Sequence, residues 1–291
     1  MEVVNVSSVH DIREDIRYDN LTPTFGTVIH DIDLTDLTFE KSKFLYDIFC
    51  EKKLLILPNQ ILNNKQLLSV ANVFGKVWEN DGLIEMQEDD FLSKKHLPWH
   101  VDLTYYPSQI LPNRLLYATE LQGSGMPTDF LDTIEGIKLL DQEIFDFLRN
   151  TSIHCKAPYK TPWDAVMRRP ALNWHHKHNS WGLVADELFT VHIEDHDNYQ
   201  EFIKPVIKQM MTKNTIYSHE WQENDLMIYD NWSLMHNSIR ILKRITWDQD
   251  WYKFDVDVQF DNMMMLGRGT GGWSHDGISQ GAAGKLPQTG F

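Results

Sequence analysis

Pro98-Trp99-His100-Val101-Asp102-Leu103-Thr104-Tyr105 is the stretch on which the fold and the chemistry of this chain turn. In a strand or extended loop, residues i and i+2 point to one side, so His100 and Asp102 reach a common point while Val101 faces away. A pair of ligands does not make a metal site, and a chain with thirteen histidines offers such pairs by chance. The third ligand must come from another element. His236, in Asp230-Asn231-Trp232-Ser233-Leu234-Met235-His236, follows the apolar run Leu226-Met227-Ile228-Tyr229, which reads as a buried strand. Two imidazoles and one carboxylate form a face that suits a non-haem Fe(II) and leaves three coordination positions open, which predicts an oxygen-using enzyme.

Outward from these two strands, the patterning divides the chain into helices first and short strands later. Apolar positions Phe44, Leu45, Ile48 and Phe49 predict a helix over 39–53, followed by a buried strand Leu54-Leu55-Ile56-Leu57-Pro58. A second helix is expected over 63–74, with Leu67, Leu68, Val70, Ala71 and Phe74 on one face, Asn63 or Asn64 as its cap and Gly75 as its end. Residues 114–119, 128–132, 181–185 and 246–260 read as strands, and 135–148 and 198–211 as helices. That order predicts an α+β protein: a double-stranded β-helix (jelly-roll) core of antiparallel strands flanked by helices. One domain is expected over 1–261. Residues 262–291, rich in glycine and without apolar periodicity, read as a tail, with an active-site cover as the other reading. Leu286-Pro287-Gln288-Thr289-Gly290 has the form of a sortase signal, but no apolar anchor follows it and chance is the better account.

A net charge of -15, from 27 basic and 42 acidic residues, argues against nucleic acid and against an anionic membrane surface as partners. A small molecule, cationic or neutral, is the easier ligand, and assembly as a homo-oligomer is compatible with the sequence. Cys50 and Cys155 are too few for a disulfide framework, and no run of eighteen apolar residues exists, so a reducing cytoplasm is the expected compartment.

Several segments, in order, resemble the taurine dioxygenase (TauD/TfdA-like) family of Fe(II)- and 2-oxoglutarate-dependent oxygenases. Phe25 to Leu34 is similar to its "GAEIxGIDL" signature and Leu54 to Gln60 to its "LVFRDQ" strand. Trp99 to Thr104 resembles the metal motif, and Gly123 to Thr128 the Gly-rich turn ending in a threonine. Asp225-Leu226-Met227-Ile228-Tyr229-Asp230-Asn231 is similar to the strand "GDLVIWDN". The likeness runs from about Phe25 to about Asp257.

The resemblance implies roles for individual residues. His100, Asp102 and His236 would bind Fe(II), Thr128 would help hold 2-oxoglutarate, and Arg244 would pair with its far carboxylate. Arg240 is the other candidate for that place, because the loop after His236 is shorter than usual. A planar guanidinium donates two parallel bonds to a carboxylate, while the keto-acid end chelates the metal and leaves one position for O2. Decarboxylation to succinate and CO2 then drives hydrogen abstraction from a bound substrate. Asp102, being a carboxylate rather than Gly or Ala, leaves no vacated position for chloride, so a halogenase is not expected.

Two departures bear on the substrate. Where taurine-type members carry a sulfonate-gripping arginine this chain has Asp248, which would repel an anion and attract an ammonium. Asp186-Glu187-Leu188-Phe189-Thr190 resembles "NxxFT", with Asp186 in place of Asn. An amine-bearing or zwitterionic substrate near Phe189, Tyr105 and Tyr106, with contacts to Asp186 and Asp248, is the resulting expectation.

Blander readings stand beside these. Thr128 has good β propensity and Arg244 would serve equally in a surface ion pair. His175-His176-Lys177-His178 reads as a solvated loop rather than a second metal site, and His192-Ile193-Glu194 as a polar connection. Trp99, Trp232 and Trp247 read as packing. A zinc hydrolase using the same triad and a non-catalytic jelly-roll binding protein are the competing classes. Within the leading class, desaturation, cyclisation and oxidative cleavage are the alternatives to hydroxylation.

Overall fold

The computed structural model describes residues 15–75, 83–86, 97–106, 113–121, 127–158, 165–238 and 242–248; for 83–86, 119–121, 238 and 242–248 it describes the backbone. In chain order the elements are β1 (Tyr18–Asn20), β2 (Thr27–Ile29), α1 (Phe39–Lys52), β3 (Leu54–Leu57), α2 (Asn64–Ala71), β4 (Leu83–Met86), β5 (Leu97–His100), β6 (Asn113–Leu121) and β7 (Thr128–Asp132). There follow α3 (Thr133–Ile137), α4 (Gln142–Asn150), β8 (Ser152–Cys155), β9 (Met167–Pro170), β10 (Leu172–His175), β11 (Ser180–Leu183) and β12 (Thr190–Ile193). The last are α5 (Tyr199–Met210), β13 (Ile216–His219), β14 (Leu226–Asp230), β15 (Leu234–Ser238) and β16 (Leu242–Asp248).

Among the described residues a seven-stranded sheet, β1-β2-β3-β14-β6-β16-β4, faces a four-stranded sheet, β13-β7-β15-β5. All neighbours in these sheets are antiparallel except β2 and β3. Strand alternation explains the layering. Met227 and Tyr229 of β14 join Leu54, Ile56, Leu116 and Ala118 and meet Phe130 and Leu234 of the smaller sheet in the interior between the two. Leu226 and Ile228, one residue out of phase, face away and pack with Leu55, Leu57, Leu115 and Tyr117 against Phe44, Leu45, Ile48, Phe49, Leu67 and Val70 of α1 and α2. A third cluster fills the space between the smaller sheet, α4, α5 and the short strands β8 to β12. This is the antiparallel jelly-roll sandwich with flanking helices that the patterning predicts.

Local chemistry sets the helix ends. Thr38 caps α1, and Asn63 and Gln66 form a reciprocal capping box on α2. The second helix ends at Ala71, short of Gly75. The single helix expected over 135–148 is two, because Asp141 is extended (φ -60°, ψ 143°) and opens a new helix after α3 has closed at Lys138. Tail residues 262–291 lie outside the described residues. No described helix is long and apolar enough to cross a membrane.

Candidate active site

Pairing of β5 with β15 puts His100 and His236 directly opposite each other on neighbouring strands. Cross-strand partners share a face, and the two rings stand 4.1 Å apart between centroids. Asp102 lies two residues beyond, just past the end of β5, and turns to the same side. Its Oδ1 is 3.6 Å from Nε2 of His100 and 4.0 Å from Nε2 of His236. All three side chains are buried, and one ligand atom from each lies within 4.8 Å of the others. Ligand atoms on adjacent corners around an ion with bonds of ~2.1 Å stand about 3 Å apart, so a small inward rotation closes this set on a metal.

The surroundings fix which atoms are offered. Nδ1 of His100 is 2.8 Å from the carbonyl of Pro98, an oxygen that can only accept; Nδ1 therefore carries the proton and Nε2 the lone pair. Nδ1 of His236 is buried with no hydrogen-bond partner among the described residues. The far oxygen of Asp102, Oδ2, accepts from Arg114 Nε at 3.2 Å and from the hydroxyl of Tyr229 at 2.8 Å. Only Oδ1 is left to face the imidazoles. The Asn231 side chain grips the backbone of Asp102 from both sides, its Oδ1 accepting from the amide at 2.9 Å and its Nδ2 donating to the carbonyl at 3.0 Å. Leu103 then takes the left-handed conformation (φ 65°) that turns the chain away, a conformation tolerated where surrounding bonds over-determine it.

Electrostatics follow from this packing. Burial would raise Asp102, but the guanidinium of Arg114 and the two imidazoles outweigh it and hold the carboxyl well below the usual carboxylate range. Burial also opposes protonation of His100, yet the hydrogen bond and charge of Asp102 outweigh it and raise that histidine. Burial, reinforced by positive charge on His100 and Arg114, pushes His236 down to about 3, which keeps it a neutral base. A buried anionic oxygen, a neutral His236 and a His100 whose Nε2 proton a metal would displace fit a divalent ion.

The other predicted residues fall as follows. Phe189 sits edge-on to His100 at 5.5 Å, and Tyr105 packs on Phe189 at 4.7 Å, making an aromatic wall beside the triad. Asp186 is fully buried, and its two oxygens are occupied: Oδ1 accepts from the amides of Leu188, Phe189 and Thr190, and Oδ2 from the hydroxyl of Thr104. Its part is to shape the turn that presents Phe189, a turn also docked on β5 by the bond from Glu187 N to Trp99 O. Burial lifts the Asp186 carboxyl to about 6. Tyr106 is partly exposed, and its carbonyl and that of Thr104 accept from the buried guanidinium of Arg169. Thr128 starts β7, two residues from Phe130, which pairs with His236; it is therefore on the His236 face, with its hydroxyl accepting from Trp221 Nε1 at 2.9 Å. Arg244 is on β16 with its backbone opposite Glu120 of β6, between two register shifts, and Asp248 ends that strand opposite Leu83. Arg240 lies outside the described residues. Trp99 and Trp232 are core, as expected.

Arg114, Tyr229 and Arg169 went unmarked in the sequence. Arg114 is an arginine inside an otherwise apolar strand, Arg114-Leu115-Leu116-Tyr117-Ala118, and an ion in such a run signals a buried partner. The loop reading of residues 175–178 holds for 176–178, which lie in the turn between β10 and β11, but not for His175. His175 is buried as the last residue of β10, bonded through Nε2 to Asp230 Oδ2 at 2.8 Å, because the hairpin packs that strand end against β14.

The family model described as "Taurine catabolism dioxygenase TauD, TfdA family" matches residues 17–239, most of the chain. The chain belongs to this family. As a member it is a non-haem Fe(II)- and 2-oxoglutarate-dependent dioxygenase, with O2 as the other co-reactant. The (S)-phenoxypropionate/alpha-ketoglutarate-dioxygenase of Sphingobium herbicidovorans is similar, at 23% identity over 263 residues covering 78% of this chain and 91% of that one. So is the 3-((Z)-2-isocyanoethenyl)-1H-indole synthase of Fischerella ambigua, at 23% over 264 residues, 78% of this chain and 93% of the other. The crystal structure of AAD-2 in complex with Mn(II) and N-oxalylglycine superposes with a TM-score of 0.69 at 17% identity, covering 80% of this chain and 95% of that one.

Proposed function

We propose that the Fe(II) of this dioxygenase is held by Nε2 of His100, Oδ1 of Asp102 and Nε2 of His236. Arg244 takes the far carboxylate of 2-oxoglutarate and Thr128 helps seat it. The substrate is a small organic molecule whose aryl or apolar part packs on Phe189 and Tyr105. The observation that carries this reading is the convergence of three buried ligand atoms within 4.8 Å, in a pairing that sets the two histidines opposite each other. An aryl substrate is supported by the Phe189–Tyr105 wall, and by two relatives whose names carry a phenoxy group and an indole. Asp248, in the place where taurine-type members have an arginine, favours a substrate that also bears an amine.

O2 is the oxidant: bound Fe(II) would activate it, with one oxygen atom entering the succinate formed from 2-oxoglutarate as CO2 is lost and the other, in the simplest outcome, entering a hydroxyl on the substrate. The protein's own residues do the positioning. Arg114 and Tyr229 hold Oδ2 of Asp102 so that the carboxylate presents one oxygen to the metal. The Pro98 carbonyl sets the tautomer of His100, and Phe189 with Tyr105 keeps water from the reacting face.

Fe(II) plus 2-oxoglutarate under anaerobic conditions should give a weak visible charge-transfer band in the wild-type chain and none in Asp102→Ala. A screen of aryl-bearing amines, amino acids and carboxylates for stimulated succinate release then identifies the substrate class. A wild-type chain that binds zinc, shows no band and turns over without the keto acid would instead be a hydrolase.

A further inference from the structure

A second set of two imidazoles and a carboxylate exists outside the active site. His175 ends β10, His178 lies in the turn between β10 and β11, and Asp230 ends β14; one ligand atom from each lies within 4.8 Å of the others. His175 and Asp230 are buried, while His178 is partly exposed and gives the cluster its access to solvent. The sequence presents these histidines as a polar run; folding turns His175 inward and brings a carboxylate to it from a distant strand.

We propose that His175, His178 and Asp230 form a second metal site, for a borderline divalent ion such as Zn(II) or Co(II). Three observations support it. First, the carboxylate is pre-set: Oδ1 of Asp230 accepts from the amide of Trp232 at 2.9 Å, and Oδ2 from the hydroxyl of Ser233, which leaves its remaining lone-pair direction for His175. Second, the rings of His175 and His178 stand 4.6 Å apart, a separation similar to the 4.1 Å of the active-site pair. The backbone amide of His178 reaches Nδ1 of His175 at 3.3 Å, fixing the turn that holds the second ring there. Third, two nitrogens and one oxygen suit zinc or cobalt, whereas calcium and magnesium require more oxygens than the cluster offers.

The nearby cations do not forbid an ion. Lys53 is paired with buried Asp132, and the ammonium of Lys177 lies over the ring of Tyr46 at 4.7 Å. Metal binding would replace the bond between Nε2 of His175 and Oδ2 of Asp230, the ring changing tautomer so that Nδ1 carries the proton in place of its contact with the His178 amide. Occupancy also reaches the active site, because Asp230 is followed at once by Asn231, whose side chain grips the backbone of Asp102.

The test is a metal count on the untagged, chelator-stripped full chain, titrated with Zn(II) alone and desalted before elemental analysis. The expected result is two zinc ions per chain in the wild type and one each in His178→Ala and Asp102→Ala. His178→Gln, which keeps the size and polarity of the turn, should also bind one, with a wild-type near-UV circular dichroism spectrum. A wild-type count of one that is lost in Asp102→Ala, or a count of two that His178→Ala and His178→Gln leave unchanged, overturns the proposal. A wild-type count of one that survives Asp102→Ala and disappears in His178→Ala upholds it and removes the active-site triad instead. The two readings therefore fail separately.

Discussion

The hydroxyl of Tyr229 donates to Oδ2 of Asp102 at 2.8 Å, from a strand in the opposite sheet of the sandwich. Burial and the adjoining carboxylate raise this phenol well above its ordinary pKa, so it stays a donor at any working pH. Arg114 shares the same oxygen. Tyr229→Phe and Arg114→Met should each weaken Fe(II) or Mn(II) binding by about tenfold to a hundredfold, read by metal titration without substrate. Arg114→Met should also lower stability by about 3 kcal/mol, since it leaves a buried carboxylate without its cation. Metal affinity unchanged in both variants would show that Asp102 needs neither group.

Asn231 makes two bonds to the Asp102 backbone, both to groups that are out of reach of water. Asn231→Ala should cost about 2 kcal/mol in denaturant unfolding. It should also loosen metal binding, because the turn at Leu103 loses the clamp that holds it. Asn231→Asp tests the geometry: the acceptor is kept, the donor is lost, and metal binding should recover only in part.

Much of this was legible in the sequence, and the reasons are physical. The facing of His100 and Asp102 follows from strand alternation, which is local, and the buried run 226–229 announces β14. Phase alone explains why Leu226 and Ile228 meet the helices while Met227 and Tyr229 meet the smaller sheet. What stayed hidden depends on contacts between distant segments. The pairing of β5 with β15, the bonds of Arg114 and Arg169, and the meeting of His175 with Asp230 join residues whose spacing carries no signal. The break at Asp141 was missed for a related reason: leucines on both sides of it keep a helical period across a real interruption.

Phe189 packs on both His100 and Tyr105, so its ring should be felt by whatever binds beside the triad. Phe189→Ala is expected to raise KM for an aryl substrate about tenfold or more. It should also raise the ratio of succinate formed to substrate oxidised, as the substrate loses its hold on the productive pose. Equal loss of both products with KM unchanged would place the substrate elsewhere.

Glu194 accepts from Arg168 through both oxygens, at 2.7 and 2.8 Å, and lies 3.0 Å from Nε2 of His154. The hydrogen bonds from Arg168 lead the shift that holds its carboxyl at about 2, below the ordinary 4.5. A depressed carboxylate stabilises the fold above its unfolded pKa, and that contribution is lost as pH falls from 4.5 toward 2. The cluster is partly open to solvent, so its worth is about 1 kcal/mol. Glu194→Gln should therefore be less stable than the wild type at pH 7, with the gap closing as pH falls through that window in parallel urea melts.

Because Asp186 satisfies its turn with its own carboxylate, bonding three successive amides, the loop does not depend on the ring of Phe189 to keep its shape. The aromatic wall beside the triad is thus separable from its frame. On the proposed reading of Phe189 as a substrate contact, a single codon change at position 189 would redraw what the enzyme accepts while the triad and the β-sandwich remain as they were, which would open new substrate ranges to this scaffold in one evolutionary step.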